Sequence, residues 1–174
     1  MSQSNESIAD DFPRSGRLIG VDFGTVRIGI SVCDPMWILA SPLEIRAVGG
    51  KESDAAYFQS LIRREQAVGL IVGLPIHCDG GESEKSREAR AFAVWLTDVT
   101  SLPVRLFDER FTSSVAQQRI RETGKKGKHN RDRNLDAVAA QVLLESFMEA
   151  IRYGGGQTPG QMTTAPATGD ASLE

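Results

Sequence analysis

The chain has 174 residues, 40% hydrophobic and 25% charged, and a formal net charge of −3. That length carries one domain with its own core and leaves no room for two large lobes. No apolar run approaches the roughly 18 residues of a membrane span, and the opening residues are polar and acidic, so a soluble cytoplasmic protein with no membrane partner and no signal peptide is expected.

Residues 17–23 (RLIGVDF) and 27–33 (RIGISVC) are rich in β-branched residues and flank Gly24-Thr25-Val26, which predicts a hairpin. Alternation places Ile19, Val21 and Phe23 on one face and Leu18, Gly20 and Asp22 on the other, with the small Gly20 leaving room beside the carboxylate. After a Ser41-Pro42 break, residues 43–48 read as a third strand. Ala55, Phe58, Leu61 and Ile62 have helical spacing over 54–65, and 67–74 (AVGLIVGL) is a continuous apolar run of the kind a doubly covered strand shows. A helix over 84–96 carries Ala89, Phe92, Ala93 and Leu96, and 104–107 is a further buried strand ending in Asp108-Glu109-Arg110. Ser114 and Gln117 resemble a capping box that opens a helix closed by Gly124. The last helix spans about 135–153, with Ala139, Val142, Leu143, Phe147 and Ile151 on its apolar side.

This order predicts an α/β fold: a mixed five-stranded sheet, antiparallel over its first three strands and parallel afterwards, with helices on both faces. Composition assigns residues 1–15 and 154–174 to disordered tails around a single domain at 16–153. Cys33 and Cys78 fit no zinc or redox spacing. The two tails carry −2 each and the remaining core +1, within which residues 105–133 hold nine Lys or Arg against four Asp or Glu. Such a local excess suits a polyanion despite the negative total.

Three carboxylates stand where a plain core would want apolar groups: Asp22 inside a strand, Glu109 at the end of another, and Asp136 in the first turn of the last helix, where the helix dipole tolerates an anion. An ionised carboxylate costs several kcal/mol to bury without compensation, so three in one fold suggest a shared cation, and hard oxygen donors suit Mg²⁺ or Mn²⁺. Taken singly, Glu109 reads as a surface cluster and Asp136 as a helix-start acid; only the three together point to catalysis. Two ions about 4 Å apart would serve phosphodiester hydrolysis, with Asp22 as bridging ligand. Arg27 and Arg110 stand beside the strand acids and suit a phosphate, and Lys125, Lys126, Lys128, Arg131 and Arg133 form a basic strip just before Asp136 that suits a nucleic-acid backbone. The strip has no interleaved aromatic residues, so it predicts little base stacking.

The segments Ile19-Gly20-Val21-Asp22-Phe23-Gly24-Thr25-Val26-Arg27-Ile28-Gly29, Val72-Gly73-Leu74-Pro75, Asp79-Gly80, Phe107-Asp108-Glu109-Arg110-Phe111-Thr112 and Leu135-Asp136-Ala137-Val138-Ala139-Ala140 occur in the order and spacing of the YqgF/RuvX-like family, which the chain resembles over about residues 17–153. The resemblance implies an RNase H-like fold and a nuclease of the pre-16S rRNA or Holliday-junction resolvase-like kind, with Asp22, Glu109 and Asp136 as its acidic metal site. It also implies a nucleic-acid partner, pre-rRNA on the pre-30S particle or branched DNA, for a monomer or homodimer. The chain departs from the family at Phe111, where Leu is frequent, at His77, where Asn is, and at Ser83, where Gly is. Two other classes compete. The Asp22 loop resembles the phosphate loop of actin-like ATPases, which need a second lobe, and a non-catalytic RNA-binding assembly factor would use the basic strip without the acids.

Overall fold

The computed structural model describes residues 12–75, 83–108, Gln118 and 131–153, with side chains in the last stretch from Leu135 on. Strands β1 (Arg17–Phe23) and β2 (Arg27–Cys33) pair antiparallel with Phe23 opposite Ile28, and the Gly24 amide donates to the Arg27 carbonyl at 3.0 Å to close the expected hairpin. Strand β3 (Ala40–Ala47) adds antiparallel to β2. It begins three residues before the expected 43–48 and takes in Ser41-Pro42. Pro42 is tolerated because β3 is an edge strand and the β2–β3 register shifts between Ile30 and Ser31.

Helix α1 (Lys51–Glu65) then leads to β4 (Ala67–Leu74), parallel to β1, and α2 (Glu84–Thr100) leads to β5 (Val104–Asp108), parallel to β4. The sheet order is β3-β2-β1-β4-β5, so β1, β4 and β5 end on one edge. Strand β4 lies inside the sheet between β1 and β5, with Leu70, Ile71 and Val72 fully buried, which is why its sequence shows no alternation. The final helix, α3 (Arg131–Tyr153), starts earlier than the expected residue 135. Of the expected Ser114 to Gly124 helix, Gln118 alone is among the described residues, and it is helical.

One core lies between the sheet and α1/α2, where Phe58, Leu61, Ala93 and Leu96 meet Ile19, Val21, Ile30, Leu70 and Val72. The other lies under α3, where Leu143, Leu144, Phe147 and Met148 meet Leu18, Ile71 and Phe107. Helices thus cover both faces. Burial of side chains of this size contributes about 1.5–3 kcal/mol each. Ala139, placed by spacing on the packed side of α3, is only half-buried; Ala137, Ala140 and Leu144 face the sheet instead. Phe12, counted by composition with the N-terminal tail, is buried: its ring meets Phe147 edge-on at 5.9 Å, and the Arg105 guanidinium lies 4.2 Å from its centre. Among the described residues no helix is long and apolar enough to cross a membrane.

Candidate active site

Asp22 is the second-last residue of β1, one position inside the edge where β1, β4 and β5 end. Its cross-strand partner is Gly29, and the preceding pair on the same face is Gly20 with Ser31. These small residues form the bed on which α3 lies. A Cβ on Gly29 would collide with the Asp136 carbonyl, and one on Gly20 with Ser31 Oγ and the Ala140 carbonyl. Ser31 Oγ donates to the Ala140 carbonyl at 2.7 Å, and Gln141 Nε2 donates to the Ala40 carbonyl at 3.0 Å. With no side chain between them, the α3 backbone at Asp136 sits against the strand position opposite Asp22, and two of the three expected acids are neighbours.

The Asp136 side chain, 26% exposed, has its Oδ2 2.9 Å from Arg27 Nε. The N–H is not aimed along that line. The contact is Coulombic, and among the described residues Oδ2 is enclosed without a hydrogen-bond donor. Asp136 is the sixth residue of α3 and stands in its second turn, beyond the first-turn position expected from sequence, so Arg27 rather than the helix N-terminus is its nearest compensating charge. Arg27, expected to hold phosphate, is 40% exposed while making this contact.

An open cleft of about 290 Å³ runs along this edge, lined by the β1–β2 turn from Phe23 to Arg27, by Pro75, by Lys85 and Glu88 of α2, and by Asp136. The α2 wall is held by its cap. Ser83 Oγ accepts from the Ser86 amide at 3.0 Å, Ser86 Oγ accepts in return from the Ser83 amide at 3.2 Å, and Ser86 Oγ lies 2.6 Å from the Pro75 carbonyl, to which it donates. The serine at position 83, where the family frequently has Gly, is thus the N-cap. Lys85 and Glu88 were not singled out from sequence, because three residues apart on the polar side of an amphipathic helix they look like ordinary solvated charges.

Glu109 and Arg110 lie outside the described residues, as do His77, Cys78, Phe111, Lys125, Lys126 and Lys128; Arg131 and Arg133 lie in α3 with side chains not described. Asp108, just before Glu109, is buried and in register with Leu74. Among the described residues no three His, Cys, Asp or Glu side chains converge on a metal position. The donors described do fit a hard cation: Asp22 and Asp136 offer oxygens, and the enclosed Asp136 Oδ2 lacks a donor that an ion would replace.

The family described as RuvX, Holliday junction resolvase, matches residues 16–150. The chain belongs to this family. A RuvX relative from Rhodopirellula baltica, provisionally named pre-16S rRNA nuclease, is 56% identical over 155 residues, covering 89% of each chain. A protein of the same name from Mycobacteroides abscessus is 41% identical over 153 residues, 86% of this chain and 92% of its own. Among solved structures, Thermus thermophilus RuvC in complex with a Holliday junction substrate aligns with a TM-score of 0.56 at 15% identity, over 82% of this chain and 98% of that one. A further Thermus thermophilus RuvC structure gives 0.50, also at 15% identity, over 80% and 97%. The RuvX chain therefore has the RNase H-like fold expected for it.

Proposed function

We propose that this RuvX-family chain hydrolyses phosphodiester bonds in structured RNA, trimming the 5′ end of the small-subunit rRNA precursor on the pre-30S particle in the cytoplasm, with Mg²⁺ or Mn²⁺ held by Asp22, Glu109 and Asp136. The nuclease class itself follows from family membership. The observation that carries the site is the contact of the Asp136 backbone with Gly29, which brings Asp136 beside Asp22 at the edge where three strands end. Along β5, Arg105 and Phe107 belong to the α3 side of the sheet, and Glu109 is the next residue of that parity. Divalent ions bound there would supply a more acidic water and stabilise charge on the leaving oxygen. Arg27 and Lys85 stand on either side of the cleft and suit a phosphate; Arg110 and the basic strip of Lys125, Lys126, Lys128, Arg131 and Arg133 would extend the hold along the backbone.

The description of the family as a Holliday junction resolvase favours branched DNA as the second reading. Cleavage of matched RNA and four-way DNA, each with Mg²⁺ and with chelator, separates the two. The first reading expects metal-dependent cuts in RNA and none in the junction. Junction cleavage alone would assign the second, and binding without any cleavage would leave an assembly factor.

A further inference from the structure

On the α1/α2 side of the sheet, a second hollow of about 460 Å³ opens next to the cleft and shares Phe23, Thr25 and Glu88 with it. Its other walls are Ile28 of β2, Val48 and Gly49 after β3, Lys51 and Asp54 of α1, and Ala91, Phe92 and Trp95 of α2, so apolar groups line most of it and two charges stand on the α1 side. Three rings form a row leading away from the acids. Phe23 stacks on Phe92 with centres 4.2 Å apart and planes 19° apart, and Trp95 follows Phe92 at 5.4 Å and 30°. Phe92 and Trp95 are only half-buried, Ala91 and Val48 are exposed, and among the described residues Trp95 Nε1 makes no hydrogen bond. A half-open aromatic wall is poorly matched to water and well matched to a flat, heteroaromatic partner with polar edges. Its volume lies in the roughly 300–1,000 Å³ range of small-ligand sites, and Glu88 supplies an acceptor at the shared rim.

We propose that this hollow is a nucleobase subsite: it takes one unpaired base of the strand whose backbone crosses the cleft, stacked against the Phe92–Trp95 wall. The proposal rests on the nuclease reading, since the occupant is argued from the continuity of the hollow with the cleft through Phe23, Thr25 and Glu88. Stacking platforms of this kind tolerate any base, because every base has a π face. Stacking from β1 and α2 would supply what the sequence of the basic strip lacks, and it would favour single-stranded or frayed segments over continuous duplex.

The chain has two tryptophans, Trp37 and Trp95, and Trp37 packs under α3 against Phe147. In a Trp37→Phe variant, Trp95 is the sole tryptophan and reports directly on the hollow. Titration of this variant with a single-stranded RNA 12-mer in chelator should quench Trp95 fluorescence in parallel with binding followed by anisotropy of a labelled 12-mer. Adding Ala91→Glu, an exposed helix position at the wall, should remove the quench and weaken binding roughly tenfold, within the range that stacking of one base supports, while the thermal denaturation midpoint stays unchanged. Binding without any quench, or an Ala91→Glu variant of unchanged affinity, would overturn the subsite and leave the nuclease reading standing. Absence of binding by either signal, with no cleavage of RNA or branched DNA, would overturn both.

Discussion

At the scale of single residues, the proposed site calls for charge at Asp22 and for the lack of a side chain at Gly29. Asp22→Asn keeps the shape and removes the charge that would hold a cation, so cleavage should fall below detection. Thermal stability should hold or rise slightly, because a carboxylate beside Asp136 is like-charge crowding; metal-dependent activity retained in a single-turnover assay would sink the metal reading. Gly29→Ala acts differently. The added methyl meets the Asp136 carbonyl, a backbone atom that no rotamer change can move aside. Helix α3 must lift, which should cost about 1–3 kcal/mol and displace Asp136 from Asp22. The expected result is a lowered melting temperature with more than tenfold loss of cleavage; a variant as active as the parent would show that the close approach of α3 does not matter.

At the scale of elements, two local devices have measurable consequences. The reciprocal Ser83–Ser86 cap ties the start of α2 to the end of β4 through the Pro75 carbonyl, and Ser86 is buried at 1% exposure. Ser86→Ala should cost about 1–3 kcal/mol, measured by denaturant unfolding, and should raise KM more than it lowers kcat, because Lys85 and Glu88 ride on that first turn. The turn between β2 and β3 is held by Asp34, whose carboxylate accepts from the Leu39 amide at 2.6 Å, from Ile38 at 2.8 Å and from Met36 at 2.9 Å. These amides, Leu39 foremost, hold the carboxyl below its usual range. A depressed carboxyl stabilises the fold above the unfolded-state pKa and loses that contribution as pH falls through the folded one. Melting temperatures of the parent and Asp34→Asn should therefore differ at pH 7 and converge as pH drops below about 4; a gap unchanged down to pH 2 would mean that the charge plays no part.

For the whole molecule, a net charge of −3 and a nucleic-acid partner are compatible only because charge is segregated. Replacing Lys125, Lys126, Lys128, Arg131 and Arg133 by Gln should weaken RNA binding and flatten its logarithmic dependence on salt, by up to about 0.7–0.9 per lost phosphate contact. Turnover at saturating RNA should change little, since the acids remain. A variant with parental affinity and salt slope would make the strip a solvated connector and move the backbone-binding surface elsewhere.

Much of this was legible in the sequence for a local reason. Strand and helix periods belong to one segment at a time, so the hairpin, the buried β4 run, the facing of Asp22 opposite to Ile19 and Val21, and the segments shared with the RuvX family could all be read directly. Segment ends were less legible: Pro42 looked like a break because its tolerance depends on β3 lying at the sheet edge, and α3 looked shorter because its first turns carry charge rather than an apolar stripe. What tertiary structure alone decided is convergence. Ser31 and Ala140 stand 109 positions apart, and no period within either segment says that a hydroxyl, two glycines and a helix backbone will fit together and carry Asp136 to Asp22. Nor does any pattern say that Phe23 of a strand and Phe92 and Trp95 of a helix will form one row, or that Lys85 and Glu88 will face a cleft. Secondary structure is set by neighbours along the chain, whereas a site is set by which surfaces are small, flat or charged enough to meet once the sheet has brought them together.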